Sequence, residues 1–282
     1  MTHSKTKGTL MSGNITLGII GFGEVGSTFA REFLARGGVS ISTYDILFND
    51  PQKGPAKIEL AKSLGVRPAK SAADASRDAR IVISAVTASN VLDVAAEAAG
   101  YLNQGQLFFD INSASPVTKK TAAGKVNASH AKYVEGAVMA PVPGPGIQVP
   151  ILAGGPAAEE AAALLNGLGM NVTPVTTEPG RASAMKLCRS IVIKGLEAIM
   201  VDCAAAAKQW GVEDEVFASL DASYPSIDFR QLAETMGGRV RQHGIRRAAE
   251  MREAAMMVED LGMNPGLCSA IADAQERGAD KK

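Results

Sequence analysis

The pattern of apolar and polar positions changes character once along the chain. Between residues 15 and 178, short runs of β-branched and aromatic residues alternate with longer stretches in which apolar residues recur at helical spacing. This alternation predicts a parallel sheet with helices on its faces. Beyond Pro179 only helical periodicity continues, to about Arg277. The sequence therefore predicts an α/β domain over residues 15–178 and an all-helical domain over residues 179–282, after a disordered leader at residues 1–14.

The predicted strands are short apolar runs bounded by turn residues. They are Ile15–Ile20, Val39–Tyr44, Ile81–Ala85, Leu107–Phe109, Tyr133–Val138, Ile151–Ala153 and Val172–Val175. Helices are expected after Gly23 and around Ala56–Leu64. Gly and Pro interrupt helices, so the helical domain is predicted to break at four places. These are Gly211, Tyr224–Pro225, Gly237–Gly238 and Asn264–Gly266.

Charge and cysteine content exclude several classes of protein. The 282 residues carry 29 Lys and Arg against 29 Asp and Glu, which argues against binding to nucleic acid or to an anionic membrane. No apolar run approaches the length of a membrane span, and Ile15–Ile20 is too short for a secretory signal, so we expect a cytoplasmic protein. Cys188, Cys203 and Cys268 form no CxxC pair, and no histidine spacing suggests a metal site.

A glycine-rich turn follows the first predicted strand. Gly21, Phe22, Gly23, Glu24, Val25 and Gly26 form GxGxxG at the point where that strand ends and a helix begins. Such a turn lets the pyrophosphate of a dinucleotide approach the backbone at the helix N-terminus. Asp45, at the end of the second strand, is placed to accept hydrogen bonds from the adenosine ribose. A carboxylate there disfavours a 2′-phosphate, and Ile46 follows it, so we expect NAD to be preferred, with NADP possible.

With this turn, the later motifs resemble the β-hydroxyacid dehydrogenase superfamily, which includes 3-hydroxyisobutyrate and 6-phosphogluconate dehydrogenases. The resemblance runs from Ile15 to about Gly262 and implies a Rossmann-type domain joined by a long helix to an all-helical domain. It implies that Val86 and Thr87 lie along the cofactor, and that Asn112 and Ser113, in a segment similar to DxSTxxP, lie near the nicotinamide. Ser115 and Pro116 also fit a helix start.

A second motif is similar to the family's GxGxxxKxxxN, and it implies that Lys186 is the catalytic lysine. Lys186, Ser190 and Lys194 recur every four residues, so they share one helix face that could meet an anionic substrate. The family's asparagine is replaced by Ser190. A solvated surface lysine is the alternative interpretation of Lys186.

Two further departures from the family bear on the substrate. The family's SGG loop is replaced by an apolar, proline-rich segment from Gly136 to Pro145, in which Met139 is a candidate substrate contact. Arg246 and Arg247, expected near a break before a helix, could clamp a carboxylate or phosphate, or could pair with Glu250 at the surface. These features resemble a subgroup whose C-terminal domain has no known function.

The resemblance implies hydride transfer between a nicotinamide and a small anionic hydroxyacid or sugar acid, with Lys186 as general acid or base and Ser190 and Lys194 beside it. Two alternatives stay open: imine reduction, which Lys186 disfavours, and a nicotinamide-binding protein without catalysis. Because the helical domain is short, the resemblance also implies a homodimer.

Overall fold

The computed structural model describes residues 14–280, and within that range eight strands form one sheet. The predicted leader, apart from Asn14, lies outside the described residues. The strands are β1 (Ile15–Ile20), β2 (Val39–Tyr44), β3 (Arg67–Pro68), β4 (Ile81–Ser84), β5 (Leu107–Asp110), β6 (Lys132–Val138), β7 (Pro150–Gly154) and β8 (Asn171–Thr176). Their order is β3-β2-β1-β4-β5-β6-β7-β8, and each neighbouring pair is parallel except β6 with β7, which is antiparallel.

Helices connect most of these strands and form most of the chain after β8. They are α1 (Glu24–Arg36), α2 (Gly54–Ser63), α3 (Ala72–Ser76), α4 (Val91–Ala99), α5 (Pro116–Ala128), α6 (Ala158–Gly167), α7 (Arg181–Trp210), α8 (Glu213–Ser223), α9 (Phe229–Asp260) and α10 (Gly266–Arg277). This arrangement confirms the predicted fold class, a Rossmann-type sheet followed by a helical C-terminal region. No helix among residues 14–280 has the length and apolarity needed to cross a membrane.

The central strands read as continuous apolar runs because both faces of the sheet are covered. Ile81 and Ile83 of β4 belong to the core on one face, whereas Val82, between them, belongs to the core on the other. Successive side chains of a strand point to opposite faces, so a strand that is buried on both sides shows no polar alternation. The order of strands reverses between β1 and β4, which is where open α/β sheets bind their ligands.

The structure differs from the expected elements at β3 and within α9. β3 has only two residues and carries no apolar run that would announce a strand. The predicted break at Gly237–Gly238 is wrong, because α9 continues through both glycines. Two helical glycines cost roughly 2 kcal/mol relative to alanine. Packing of α9 along α7 and α10 offsets this cost, and Gly237 itself is buried in that packing.

Candidate active site

The glycine turn has the shape that a dinucleotide pyrophosphate requires. Gly21 has a φ of 92°, and a Cβ at this position would overlap the carbonyl group of Ala85. A Cβ at Gly26 would overlap the carbonyl oxygen of Gly21. A Cβ at Gly23 would meet no atom within 4 Å, so the outer side of the turn is open. The turn therefore fits a dinucleotide, whose phosphates would approach over Gly23 toward the N-terminus of α1.

The other residues of the turn occupy different environments. Phe22 is buried, Val25 is partly buried, and Glu24 is exposed as the first residue of α1. The backbone N–H of Phe22 donates to Oδ2 of Asp45 at 2.7 Å, and the N–H of Leu47 donates to Oδ1 of Asp45 at 2.9 Å. The turn and the end of β2 are thereby held together by one carboxylate, which is 8% exposed as a residue.

Asn112 links the loop after β4 to the loop after β5. Its Oδ1 accepts from the N–H of Val86 at 2.6 Å, and its Nδ2 donates to Asp110 Oδ1 at 2.6 Å and to Ser84 Oγ at 3.0 Å. The amide is buried and both of its ends are engaged. The structure therefore places Asn112 as a brace between the two loops, in which Val86 is partly buried and Thr87 is exposed.

A buried ion pair holds Asp110, the carboxylate that Asn112 contacts. Lys119 Nζ, on α5, lies 2.8 Å from Asp110 Oδ1, and the two side chains are 0% and 1% exposed. The hydroxyl of Tyr133 on β6 donates to Asp110 Oδ2 at 2.7 Å. Burial, followed by the charge of Asp110, raises the pKa of Tyr133 well above its ordinary value. This cluster could not be predicted from the sequence, because a lysine in a helix is normally solvated.

Lys186 reaches from α7 to the loop that follows β5. Its Nζ donates to Ser113 Oγ at 2.9 Å, so two residues that are 73 positions apart in sequence meet at the carboxyl end of the sheet. Burial lowers the pKa of Lys186, and the charges of Lys194, Lys119 and Arg246 lower it further, while Glu250 opposes the shift. A lysine in this setting carries a larger neutral fraction near neutral pH than a solvated one.

Ser190 and Lys194 follow Lys186 along α7, and both contact Glu250 of α9. Ser190 Oγ donates to Glu250 Oε1 at 2.6 Å, and Lys194 Nζ lies 3.2 Å from the same oxygen and 3.2 Å from Ser190 Oγ. Burial alone would raise the pKa of Glu250, but Lys186, Lys194 and Ser190 outweigh it and lower the pKa to about 2. Burial lowers the pKa of Lys194, and Glu250 opposes this shift. The carboxylate of Glu250 therefore balances part of the positive charge on the predicted cationic face of α7.

Arg246 and Arg247 of α9 have separate environments, and neither pairs with Glu250. Arg246 is exposed, whereas the guanidinium of Arg247 donates to both oxygens of Glu197, which is fully buried. The expectation that they lie near a break before a helix is wrong, because α9 is continuous there. Of the two, only Arg246 is placed to meet a solute, and it is close enough to act on the pKa of Lys186.

Two carboxylates that sequence reasoning missed join the helical region to the sheet. Glu135 of β6 is fully buried and accepts from the N–H of Ala182 at 2.9 Å and from Ser183 Oγ at 2.8 Å, in the first turn of α7. Glu253 of α9 accepts from the N–H of Ser115 at 2.7 Å, at the start of α5. Anions stabilise helix N-termini, so these two contacts fix α7 and α9 against the sheet. Ser115 also caps α5 with its own hydroxyl, as predicted.

The proline-rich segment after β6 is held at both ends. Met139 is partly buried, and its N–H donates to the carbonyl of Pro150 at 2.9 Å. Farther along, the N–H of Ile147 donates to Glu32 Oε2 of α1 at 3.0 Å. These contacts fix the position of the segment at the carboxyl end of β6, where it carries apolar side chains and prolines.

Two known families match separate parts of the chain. Residues 16–114 match the family described as NADP oxidoreductase, coenzyme F420-dependent. Residues 207–278 match a domain of unknown function, DUF1932. The first match contains the glycine turn and the Asn112 brace, and the second contains Arg246, Glu250 and Glu253.

Solved structures resemble the chain over nearly its whole length. A conserved hypothetical protein from Sinorhizobium meliloti 1021 is 37% identical, with a TM-score of 0.82, over 95% of this chain and 89% of that one. A conserved protein of unknown function, reported to resemble 3-hydroxyacid dehydrogenases, is 32% identical, with a TM-score of 0.76, over 94% of this chain and 98% of that one.

A more distant structure shares the fold. The 3-hydroxyisobutyrate dehydrogenase of Mycobacterium tuberculosis, solved with L-serine, is 16% identical, with a TM-score of 0.76, over 94% of this chain and 93% of that one. The family matches, the two relatives above 30% identity and the fold agree with one another. The chain therefore belongs to the β-hydroxyacid dehydrogenase superfamily of nicotinamide-dependent oxidoreductases, in the group whose C-terminal region is a domain of unknown function.

Proposed function

We propose that this protein transfers hydride between a nicotinamide dinucleotide and the alcohol carbon of a small anionic hydroxyacid or sugar acid, with Lys186 as general acid or base. The observation that carries the proposal is the contact between Lys186 Nζ and Ser113 Oγ at 2.9 Å. This contact brings Lys186 to the loop after β5. Asn112 joins that loop to the loop after β4, which lies against the glycine turn. This contact supports a Lys186 that would face the reacting groups, and it argues against a lysine that is merely solvated on the helix surface.

The protonation of Lys186 matches both directions of the reaction. In alcohol oxidation the neutral amine would take the hydroxyl proton, and in carbonyl reduction the ammonium would return it. Burial favours the neutral amine, and Ser113 holds its nitrogen in place. A bound nicotinamide would supply or accept the hydride.

The cofactor side is expected to favour NAD. The open face at Gly23 would hold the pyrophosphate, and the carboxylate of Asp45 would accept the ribose hydroxyls. Ile46, which is 75% exposed, occupies the position at which an arginine could bind a 2′-phosphate. Val86, Thr87 and Ser113 would line the nicotinamide side.

The anionic end of the substrate would meet Arg246, while Lys186 would contact the hydroxyl or carbonyl oxygen at the reacting carbon. Arg246 is exposed and free of the Glu250 pair, and a guanidinium offers two parallel donors to a carboxylate. Lys194 and Ser190 are held by Glu250, so their role would be to shape the charge around Lys186. Met139, in the proline-rich segment after β6, would contact the apolar part of the substrate.

The first experiment follows reduced nicotinamide when the purified protein is mixed with hydroxyacids and sugar acids, with NAD and NADP in separate reactions. We expect turnover that Lys186→Ala reduces by about a thousandfold, as expected for loss of a general acid–base group together with its positioning. Lys208→Ala, on the exposed last turn of α7, is the matched control and should keep full activity. Full turnover in Lys186→Ala would refute the assignment.

The same experiment separates the two alternatives. Activity on imines, with none on hydroxyacids, would identify an imine reductase. Saturable dinucleotide binding with no turnover on either panel would identify a binding protein without catalysis. The contact of Lys186 with Ser113 favours hydroxyacid chemistry, because imine reduction does not need a base to remove a hydroxyl proton.

We also propose that the protein is a homodimer. The proposal is supported by an apolar surface on α7, defined by Val192, Leu196 and Ile199, which are 61%, 41% and 63% exposed. Leu267 of α10, 68% exposed, continues this surface across a groove of about 610 Å³. Apolar residues at such spacing along one helix favour pairing with a second copy across a two-fold axis.

A further inference from the structure

Lys57 places a positive charge beside Asp45. The side chain extends from α2 back to the glycine turn, where its Nζ donates to the carbonyl oxygen of Phe22 at 3.0 Å. The same nitrogen lies 3.5 Å from Asp45 Oδ2. The side chain of Lys57 is 24% exposed and that of Asp45 is 10% exposed, so the pair sits at the edge of the site where solvent still reaches.

The geometry of the pair is fixed by the backbone. Asp45 cannot turn away, because the N–H groups of Phe22 and Leu47 hold its two oxygens at 2.7 and 2.9 Å. Lys57 is held in turn by the Phe22 carbonyl. An ammonium group has three N–H donors, and these two contacts use two of them. A third donor remains for a ligand at the end of β2.

This arrangement changes the charge that a 2′-phosphate would meet. Asp45 alone would repel the phosphate group, and the residue after it, Ile46, brings no cation. Lys57 supplies a cation from a different element, α2, within a few ångströms of the repelling carboxylate. At the rim of a site such a charge is only partly screened, and a lysine–phosphate contact is a charge-assisted hydrogen bond.

We propose that Lys57 binds the 2′-phosphate of NADP, so that Asp45 and Lys57 together set the ratio of NAD to NADP binding in this protein. The inference rests on the proposed function only in requiring that a dinucleotide binds at the glycine turn. Asp45 secures the ribose hydroxyls of NAD, and Lys57 lets the phosphorylated ribose enter as well. Loss of Lys57 would therefore leave a site that is selective for NAD.

The test measures the Kd of NAD and of NADP by calorimetric titration for the unaltered protein and for Lys57→Gln, Lys57→Arg and Lys62→Gln. Lys62 is exposed in the last turn of the same helix and controls for net charge. We expect Lys57→Gln to weaken NADP binding at least tenfold relative to NAD, while Lys57→Arg and Lys62→Gln keep the ratio within threefold. The ratio of the two constants cancels any general loosening of the glycine turn.

Three results would overturn the inference. The ratio could stay unchanged in Lys57→Gln, or it could change equally in Lys62→Gln, which would reduce the effect to net charge. Thirdly, binding of NAD without binding of NADP by the unaltered protein would show that Lys57 accepts no phosphate. Absence of binding for both dinucleotides would refute the proposed function as well, and this outcome is distinct from the other three.

Discussion

The hydroxyl of Ser183, in the first turn of α7, lies 2.8 Å from a carboxylate oxygen of Glu135, which is buried in the sheet. This contact sets the position of the helix that carries Lys186 one turn later. The same carboxylate also accepts the N–H of Ala182. Glu135 of β6 therefore holds two adjacent residues in the first turn of α7 in place. The reach of Lys186 to Ser113 depends on this anchor.

We predict that Glu135→Ala lowers the free energy of unfolding by about 2 to 3 kcal/mol, because two buried donors lose their acceptor. Glu135→Gln keeps one acceptor oxygen and should retain most of the stability. Urea unfolding followed by circular dichroism measures both variants. Identical unfolding midpoints for Glu135→Ala and the unaltered protein would contradict the anchoring role.

The pH dependence of alcohol oxidation should respond to Glu250. The negative charge of Glu250 raises the pKa of Lys186, so Glu250→Gln should lower that pKa further. In the proposed oxidation the active form would be the neutral amine, which exists above the pKa, and the rising limb of the pH–rate profile should therefore move to lower pH.

The control for this prediction is Glu259→Gln, at the exposed end of α9. Its profile should coincide with that of the unaltered protein. A shift of the Glu250→Gln profile to higher pH would show that the sign of the interaction is wrong.

The buried pair of Asp110 and Lys119 gives a prediction on stability. Lys119→Met should cost about 3 to 5 kcal/mol, because it leaves the carboxylate of Asp110 buried without a cation. Adding Asp110→Asn removes that charge, so the double variant should be destabilised by less than the sum of the two single changes. A double-mutant cycle in urea measures this coupling, and additive losses would indicate that the two groups do not interact.

The apolar surface on α7 predicts the oligomeric state. Val192→Glu together with Ile199→Glu should convert a dimer to a monomer, because each places a charge in the apolar contact. Sedimentation at micromolar concentration measures the mass. Ile245→Glu changes an equally exposed apolar residue on α9 and should leave the dimer intact. A monomeric mass for the unaltered protein would refute the dimer.

The sequence predicted those parts of the fold that depend on local patterns. Ile15–Ile20 and Val39–Tyr44 are strands at the predicted residues, because both segments are rich in β-branched and aromatic side chains, which favour extended backbone. β3 could not be predicted, because a strand of two residues is too short to show an apolar run or an alternation of apolar and polar residues. The glycines at 237 and 238 misled because tertiary packing, which local composition does not record, outweighs their helix-breaking tendency.

The candidate site was predictable only where a motif marks it. Gly21 and Lys186 belong to recognisable segments, and the structure places them toward the same edge of the sheet. Glu135, Glu250 and Glu253 lie in unremarkable stretches, and their contacts join positions that are 47, 60 and 138 residues apart. Nothing in the spacing of single residues records such pairings, so the partners of Ser190, Ser115 and Ala182 emerge only from the folded chain.

Glu250 and Glu253 also limit how relatives of this chain can diverge. The two carboxylates are three residues apart on α9, and they reach Ser190 of α7 and Ser115 at the start of α5. Each residue of an α-helix adds about 100° of rotation, so inserting or deleting a single residue between them would swing one carboxylate away from its target. Point changes on the outer face of α9 leave both contacts in place. In descendants of this sequence, the outer face of α9 can therefore change in composition, whereas the number of residues between these two positions cannot change.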